Sequence, residues 1–389
     1  MDFSILGKKD KDRSPAQVVV QDVVKVKKGE RVLIIANPAT SEIAQDLYSA
    51  SSEQGALATL IFQPDKTSFD NANPEVLAAI ATEPEVCFSI SNIKLGKDPA
   101  ATAKPYKTED GQEYTHIFDY LMDGKKTMRG AWTPGITVDM MNRTAAIDYK
   151  ELQTRCAKLT EIFKGAVSVR VTAPGGTNLL VPINGRALLS DDGDFSKPGT
   201  GGNIPAGEVF ISPVVGGLGL KAADGSTYEQ QSDGCEGVIV YDGSMTFADG
   251  DSIIETPITC RVSGGYVTEV TGGAEAKRLL KTITEAEARS VAYEKEGKLA
   301  AGQGAIYKKN ARNIGELGIG LNPAASITGN MLEDEKAFHT CHFAIGENYD
   351  NDAPSLIHLD GVVRDPTIVL TYADGTSRTI LQDGVLQSL

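Results

Sequence analysis

Three of the chain's four histidines fall in one stretch, Arg312 to Asp360, which reads RNIGELGIGLNPAASITGNMLEDEKAFHTCHFAIGENYDNDAPSLIHLD. Only His116 lies elsewhere, so His339, His342 and His358, with carboxylates on both sides, have the residue types of a metal centre rather than of background usage. The segment SLIHLDGVV has strand character. Alternate side chains of a strand share a face, which turns His358 and Asp360 one way and Ile357 and Leu359 the other. A polar pair on an apolar strand needs a partner. A divalent cation supplies one, and a hydrogen-bonded core pair is the simpler alternative for these two residues alone. FHTCHFAIG reads as a second strand, with His342 on a face of small residues that leaves room for an ion. His339, three positions earlier, would face the other side and is read as a strand-start or surface residue.

Glu316 sits in NIGELGIG, where Gly315, Gly318 and Gly320 let the backbone approach closely and leave little bulk around the carboxylate. The same letters lack the GxxxxGK[ST] of a phosphate loop, so the choice for Glu316 is between a ligand and a solvated turn carboxylate. Far upstream, in GGNIPAGEVFISPV, Pro205 and Gly207 deliver Glu208 to the first position of a strand, by itself an ordinary strand start. Taken together, Glu208, Glu316, His342, His358 and Asp360 are the oxygen and nitrogen donors expected of a site holding two divalent ions roughly 3.5–4 Å apart. None of the five cysteines is needed.

These residues resemble the M29 metallo-aminopeptidase family. The similar stretches are PAGEVF around Glu208, ELGIG around Glu316, the T-x-H-x-A-x-G pattern of Thr340 to Gly346, and the H-x-D of His358 and Asp360. The run VRVTAPGGTNLLVPINGR from Val169 to Arg186 and the acidic DDGDF after it are similar too. The likeness is collinear over about the C-terminal half and looser before it. It implies that Glu208, Glu316, His342, His358 and Asp360 are ligands of two divalent ions (Zn, Co, Mn or Mg) and that Tyr349, seven residues after His342, is an active-site tyrosine. It also implies an aminopeptidase acting on peptide substrates, and a homodimer. The spacer from His342 to His358 is short for that family and the one from Glu208 to Glu316 long, which would reshape the substrate pocket while leaving the metal shell intact.

A competing reading uses only His342, His358 and Asp360, a 2-His-1-carboxylate set suited to mononuclear Fe(II) and oxygen chemistry; a ring-cleaving dihydroxypyridine dioxygenase resembles the same fold. A metal-stabilised structural protein is disfavoured, because mostly oxygen ligands differ from the cysteine-rich shell of structural zinc.

The elements that must position these residues read as two domains. Over residues 1–164 strand and helix alternate: RVLIIA (Arg31 to Ala36), a helix from Ser41 with Ser41 as cap, strands at Ala58 to Phe62 and Val86 to Ile90, and helices near Pro74 to Thr82, His116 to Met122 and Tyr149 to Phe163. This predicts an α/β domain with an open, mostly parallel sheet. The turn NPATSE after the first strand lacks G-x-G-x-x-G, so no nucleotide cofactor is assigned. Over 165–389 short β-branched strands and Gly, Pro and Asp turns predict a mainly antiparallel β domain carrying the metal site, interrupted by helices at Ala274 to Thr284 and Glu285 to Ala300 and closed by a hairpin turning at Asp374-Gly375.

A length of 389 residues suits two such domains, and the net charge of −14 argues against nucleic acid as a partner, since no basic stripe is available to neutralise phosphate. The polar, basic start MDFSILGKKDKDRS predicts neither signal peptide nor anchor, and no segment has the roughly 20 apolar residues of a bilayer span, so no membrane partner is expected. Scattered cysteines, odd in number and without CxxC spacing, read as reduced thiols of a cytoplasmic protein.

Overall fold

The computed structural model describes residues 12–67, 70–217, 219–221, 227–231 and 233–388. The basic start of the chain falls largely on residues 1–11, outside the described residues. Two compact units are present: residues 1–153, 191–207 and 322–324 form one, and residues 154–190, 208–321 and 325–389 the other. Neither is one continuous stretch, since the chain runs between them more than once.

The first unit is built on five parallel strands. Strand β1 (Arg31–Ala36) has the edge strand β2 (Leu57–Phe62) on one side, and β3 (Val86–Ile90), which is central, β4 (Arg129–Trp132) and β5 (Gly201–Asn203) follow on the other. Near-continuous apolar runs such as VLIIA are what a parallel strand covered on both faces requires. Accordingly every residue of β1 except Arg31 is buried, as is all of β3. The helix Ser41–Glu53 forms as its apolar spacing predicts, with Ile43, Ala44, Leu47 and Ala50 inward. Ser41 is not its cap. Thr40 holds the cap position, and its hydroxyl donates inward to Ile90 O at 2.7 Å instead of capping the helix. This unit also contains a cavity of about 720 Å³ at the carboxyl ends of β3 and β4, lined by Ser89, Ser91, His116, Trp132 and Thr133 among others.

The second unit contains an eight-stranded sheet, antiparallel throughout, in the order Tyr266–Thr271, Ile258–Ser263, Glu236–Tyr241, Asn178–Pro182, Ala166–Thr172, Thr367–Tyr372, Ser377–Gln382, Val385–Leu386. Its hairpin turns at Asp374-Gly375, with Gly375 at φ +83°, a backbone state that favours glycine. The two helices expected after residue 273 are one, Ala274–Lys295, because nothing at Thr284-Glu285 breaks the periodicity and Leu279, Ile283 and Ala286 continue a single buried stripe.

A second antiparallel sheet includes six further strands, the last four of which carry the acidic and imidazole groups. In order they are Gly250–Ile253, Ser244–Phe247, His358–Arg364, Thr340–Gly346, Ile314–Gly320 and Glu208–Ile211. The last four, in chain order, are labelled β6 (Glu208–Ile211), β7 (Ile314–Gly320), β8 (Thr340–Gly346) and β9 (His358–Arg364). All five cysteines of the chain are buried. Among the described residues no helix is long and apolar enough to cross a membrane.

Candidate metal centre

Register brings the five residues to one face. Glu316 on β7 is level with Ala344 on β8, which is level with Asp360 on β9; one step along, Gly318, His342 and Val362 are level, and Glu208 on β6 is level with Gly320. Directly paired residues of an antiparallel sheet share a face, as do residues two apart on a strand. Glu208, Glu316, His342, His358 and Asp360 therefore project together, over a floor of Gly318, Gly320 and Ala344. That floor must be small. A Cβ at Gly318 would lie 2.0 Å from His342 Nε2, so glycine is what lets the imidazole lie flat across the neighbouring strand.

The distances make one cluster. His342 Nε2 lies 3.2 Å from Glu316 Oε1 and 3.4 Å from Glu208 Oε2, while His358 Nε2 lies 3.1 Å from Glu316 Oε2 and 3.3 Å from Asp360 Oδ1. Glu316 thus presents one oxygen to each histidine. Two triads result, Glu208–Glu316–His342 and Glu316–His358–Asp360, each with its ligand atoms within 4.8 Å of one another. Among the described residues no such group of three unites His342 with His358 and Asp360.

His358 is oriented from behind, its Nδ1 donating to the Glu347 carbonyl at 2.9 Å, which turns Nε2 toward the carboxylates, as metal-binding imidazoles are held. Tyr349 follows β8 with its ring against Phe210 (centroids 4.8 Å apart) and His358 (5.4 Å). Its backbone N–H donates to Ser212 Oγ at 3.2 Å, and Arg186 holds the same loop through Asp350 (3.2 Å) and Asp352 (2.8 Å). His339 stays out of the cluster: it precedes β8 at φ +69°, its Nδ1 2.9 Å from the Gly384 carbonyl oxygen.

Two charged residues of the cluster had no signal in the sequence. Lys336, fully buried, places Nζ 3.1 Å from Glu208 Oε1 and also pairs with Glu335. Both lie in the run LEDEK, which has the composition of a solvated turn; only the fold folds it inward.

The electrostatics are those of charges crowded out of water. Burial pushes the Glu208 carboxyl up to about 8, against the opposing pull of Lys336, and burial raises Glu335 as well. Burial works against a charged Glu316 too, yet a hydrogen bond from His342 and the nearby His358 imidazole hold it down at about 2. His342 is disfavoured as a cation by burial, but Glu316, Glu208 and Asp360 raise it to about 9, and the Asp360 and Glu316 carboxylates lift His358 likewise. Burial, then the charges of Glu316 and Asp360, raise the Tyr349 hydroxyl well above the ordinary phenol value, keeping it a proton donor.

The donor set fits divalent ions on an observation independent of its charge. Glu208 Oε2, His358 Nε2 and Asp360 Oδ1 are buried in the cluster without a hydrogen-bond partner, and buried polar atoms are seldom left so. Oxygen and nitrogen donors without thiolate suit zinc, cobalt, manganese, iron or magnesium.

Fold and site together define a two-unit chain with a buried carboxylate–imidazole centre on an antiparallel sheet, a fold seen in two solved enzymes. One is a 2,5-dihydroxypyridine dioxygenase from Pseudomonas putida (TM-score 0.65, 15% identity, 96% of each chain covered). The other is the wild-type aminopeptidase AmpT from Thermus thermophilus (TM-score 0.63, 16% identity, 96% of this chain and 98% of that one). At these identities the likeness is one of fold, and the M29 resemblance read from the sequence holds at that level. A family model for 2,5-dihydroxypyridine 5,6-dioxygenase (NicX) matches residues 137–388, and the chain belongs to that family of enzymes. No curated protein sequence matches it.

Proposed function

We propose that the chain is a metal-dependent hydrolase that removes N-terminal residues from peptides at a centre for two divalent ions, held by Glu208, Glu316, His342, His358 and Asp360. The pair of triads sharing Glu316 supports this most directly: Glu316 turns one oxygen toward each imidazole, so the five residues would hold two ions, whereas a single ion has no need of both glutamates. Two ions there would supply Lewis acidity and a water of lowered pKa.

The protein's own groups do the rest. Glu347 fixes His358 through its backbone carbonyl, and Gly318 and Ala344 leave the space in which ligands converge. Tyr349, kept protonated, donates a hydrogen bond to the oxygen that gains charge as a scissile carbonyl is attacked. Burial of Glu208, Glu316 and His342 excludes water from that part of the centre and strengthens their interactions. A substrate with an unblocked α-amine is expected, the amine facing the excess of carboxylates.

A second reading is favoured by the family match itself: a ring-cleaving dioxygenase with one Fe(II) held by His342, His358 and Asp360. One experiment separates the two. The protein loaded with zinc, cobalt or manganese is offered aminoacyl-arylamides with free and acetylated α-amines, and the iron-loaded protein is offered dihydroxypyridines with oxygen uptake recorded. Hydrolysis of the unblocked arylamide alone supports the hydrolase; oxygen uptake without hydrolysis refutes it.

A further inference from the structure

The first half of the centre already contains a cation. Lys336 Nζ is fully buried, 3.1 Å from Glu208 Oε1 and paired with Glu335, so Glu208 keeps only Oε2, the oxygen nearer His342, for any other partner. Nothing equivalent stands on the other half: among the described residues Asp360 pairs with His358 and with no lysine or arginine. A fixed ammonium beside one ligand set repels a divalent ion there and competes for its carboxylate, and burial weakens the screening that would soften this.

We infer that Lys336 makes the two ion positions unequal, so that Glu316–His358–Asp360 fills first and Glu208–Glu316–His342 fills second and weakly. This rests on the two-ion reading above and adds which position is exchangeable and which residue sets it. Lys336 is a positioning residue for Glu208 as well as a resident charge. Its removal therefore raises the affinity of the second position rather than lowering it, which a purely structural role would not do.

The test uses the full chain, stripped with chelator and titrated with Co(II) alone, with d–d absorption following site filling and elemental analysis after desalting counting retained ions. Wild type is expected to retain one ion and to fill a second at least ~10-fold more weakly. Lys336→Gln should retain two, and Lys336→Arg, which keeps the charge, should behave as wild type. Glu335→Gln, which removes a carboxylate that shares the ammonium with Glu208, should weaken the second position further and keeps the question open to measurement if Lys336→Gln does not fold. Two equally tight ions in wild type and in Lys336→Gln would overturn the inference and leave the two-ion centre standing. One ion in both would overturn it and count against the two-ion centre, as would a stronger second position in Glu335→Gln overturn the inference alone. No retained ion in any protein would sink the metal centre itself.

Discussion

The sharpest test of the site's construction is Gly318→Ala. The added Cβ would stand 2.0 Å from His342 Nε2 and 2.1 Å from Cε1, where ordinary contact begins at 3.4 Å. The imidazole would have to retreat by 3.4 − 2.0 = 1.4 Å. His342 is buried, and a ring displaced that far would lose its present distances of 3.2 and 3.4 Å to Glu316 and Glu208. Overpacking of this kind costs about 1–3 kcal/mol, and in a domain of this size roughly 2–4 °C of melting temperature accompanies each kcal/mol. Displacing one ligand should also weaken divalent-ion binding by ~10–100-fold. Melting of the metal-free protein followed by calorimetry, with ion affinity from a Co(II) titration, measures both. A Gly318→Ala protein that melts and binds cobalt as wild type does would show that the floor under His342 is not what shapes the site.

Other outcomes follow from the same geometry. Tyr349→Phe should slow arylamide hydrolysis by ~10-fold or more while ion content stays the same, and unchanged turnover would remove the phenol from the mechanism. Arg186→Gln, which releases Asp350 and Asp352 and so the loop bearing Tyr349, should cost about 1–3 kcal/mol and lower turnover at constant ion content; equal melting curves would refute the clamp. In the metal-free protein Glu208 binds its proton up to about 8 against an ordinary 4.5, and His342 up to about 9 against 6.5. Both bind protons more tightly folded than unfolded, so stability should decline as pH rises from 6.5 to 9, and less steeply in Glu208→Gln. Glu316, held at about 2, works the other way and loses its contribution as pH falls below 4.5. A melting temperature flat from pH 6.5 to 9 would contradict the assignment of those protons. Ion binding at neutral pH should release protons, visible as a dependence of calorimetric heat on the buffer's ionisation enthalpy.

Much of this centre was legible because strands advertise their faces. The period of two placed His358 with Asp360 and separated His339 from His342, and both relations hold in β8 and β9. Glu316 was ambiguous alone, since glycines around an acid mark a turn as readily as a strand; its role as the shared carboxylate needed the register of β7 with β8. Lys336 was not legible at all, because LEDEK has the letters of a solvated turn and only tertiary packing buries it. In the fold, β1 and β3 were plain from their apolar runs, whereas β5 (Gly201–Asn203), with two glycines and no hydrophobic pattern, gave no sign that it would pair in parallel with β4.

Anomalous diffraction from crystals saturated with Mn(II) would place the ions directly. Two peaks roughly 3.5–4 Å apart, one on each side of the Glu316 carboxylate, are the predicted result. A single peak on His342, His358 and Asp360, with Glu208 still held by Lys336, would contradict the two-ion centre and leave the chain to one-ion chemistry.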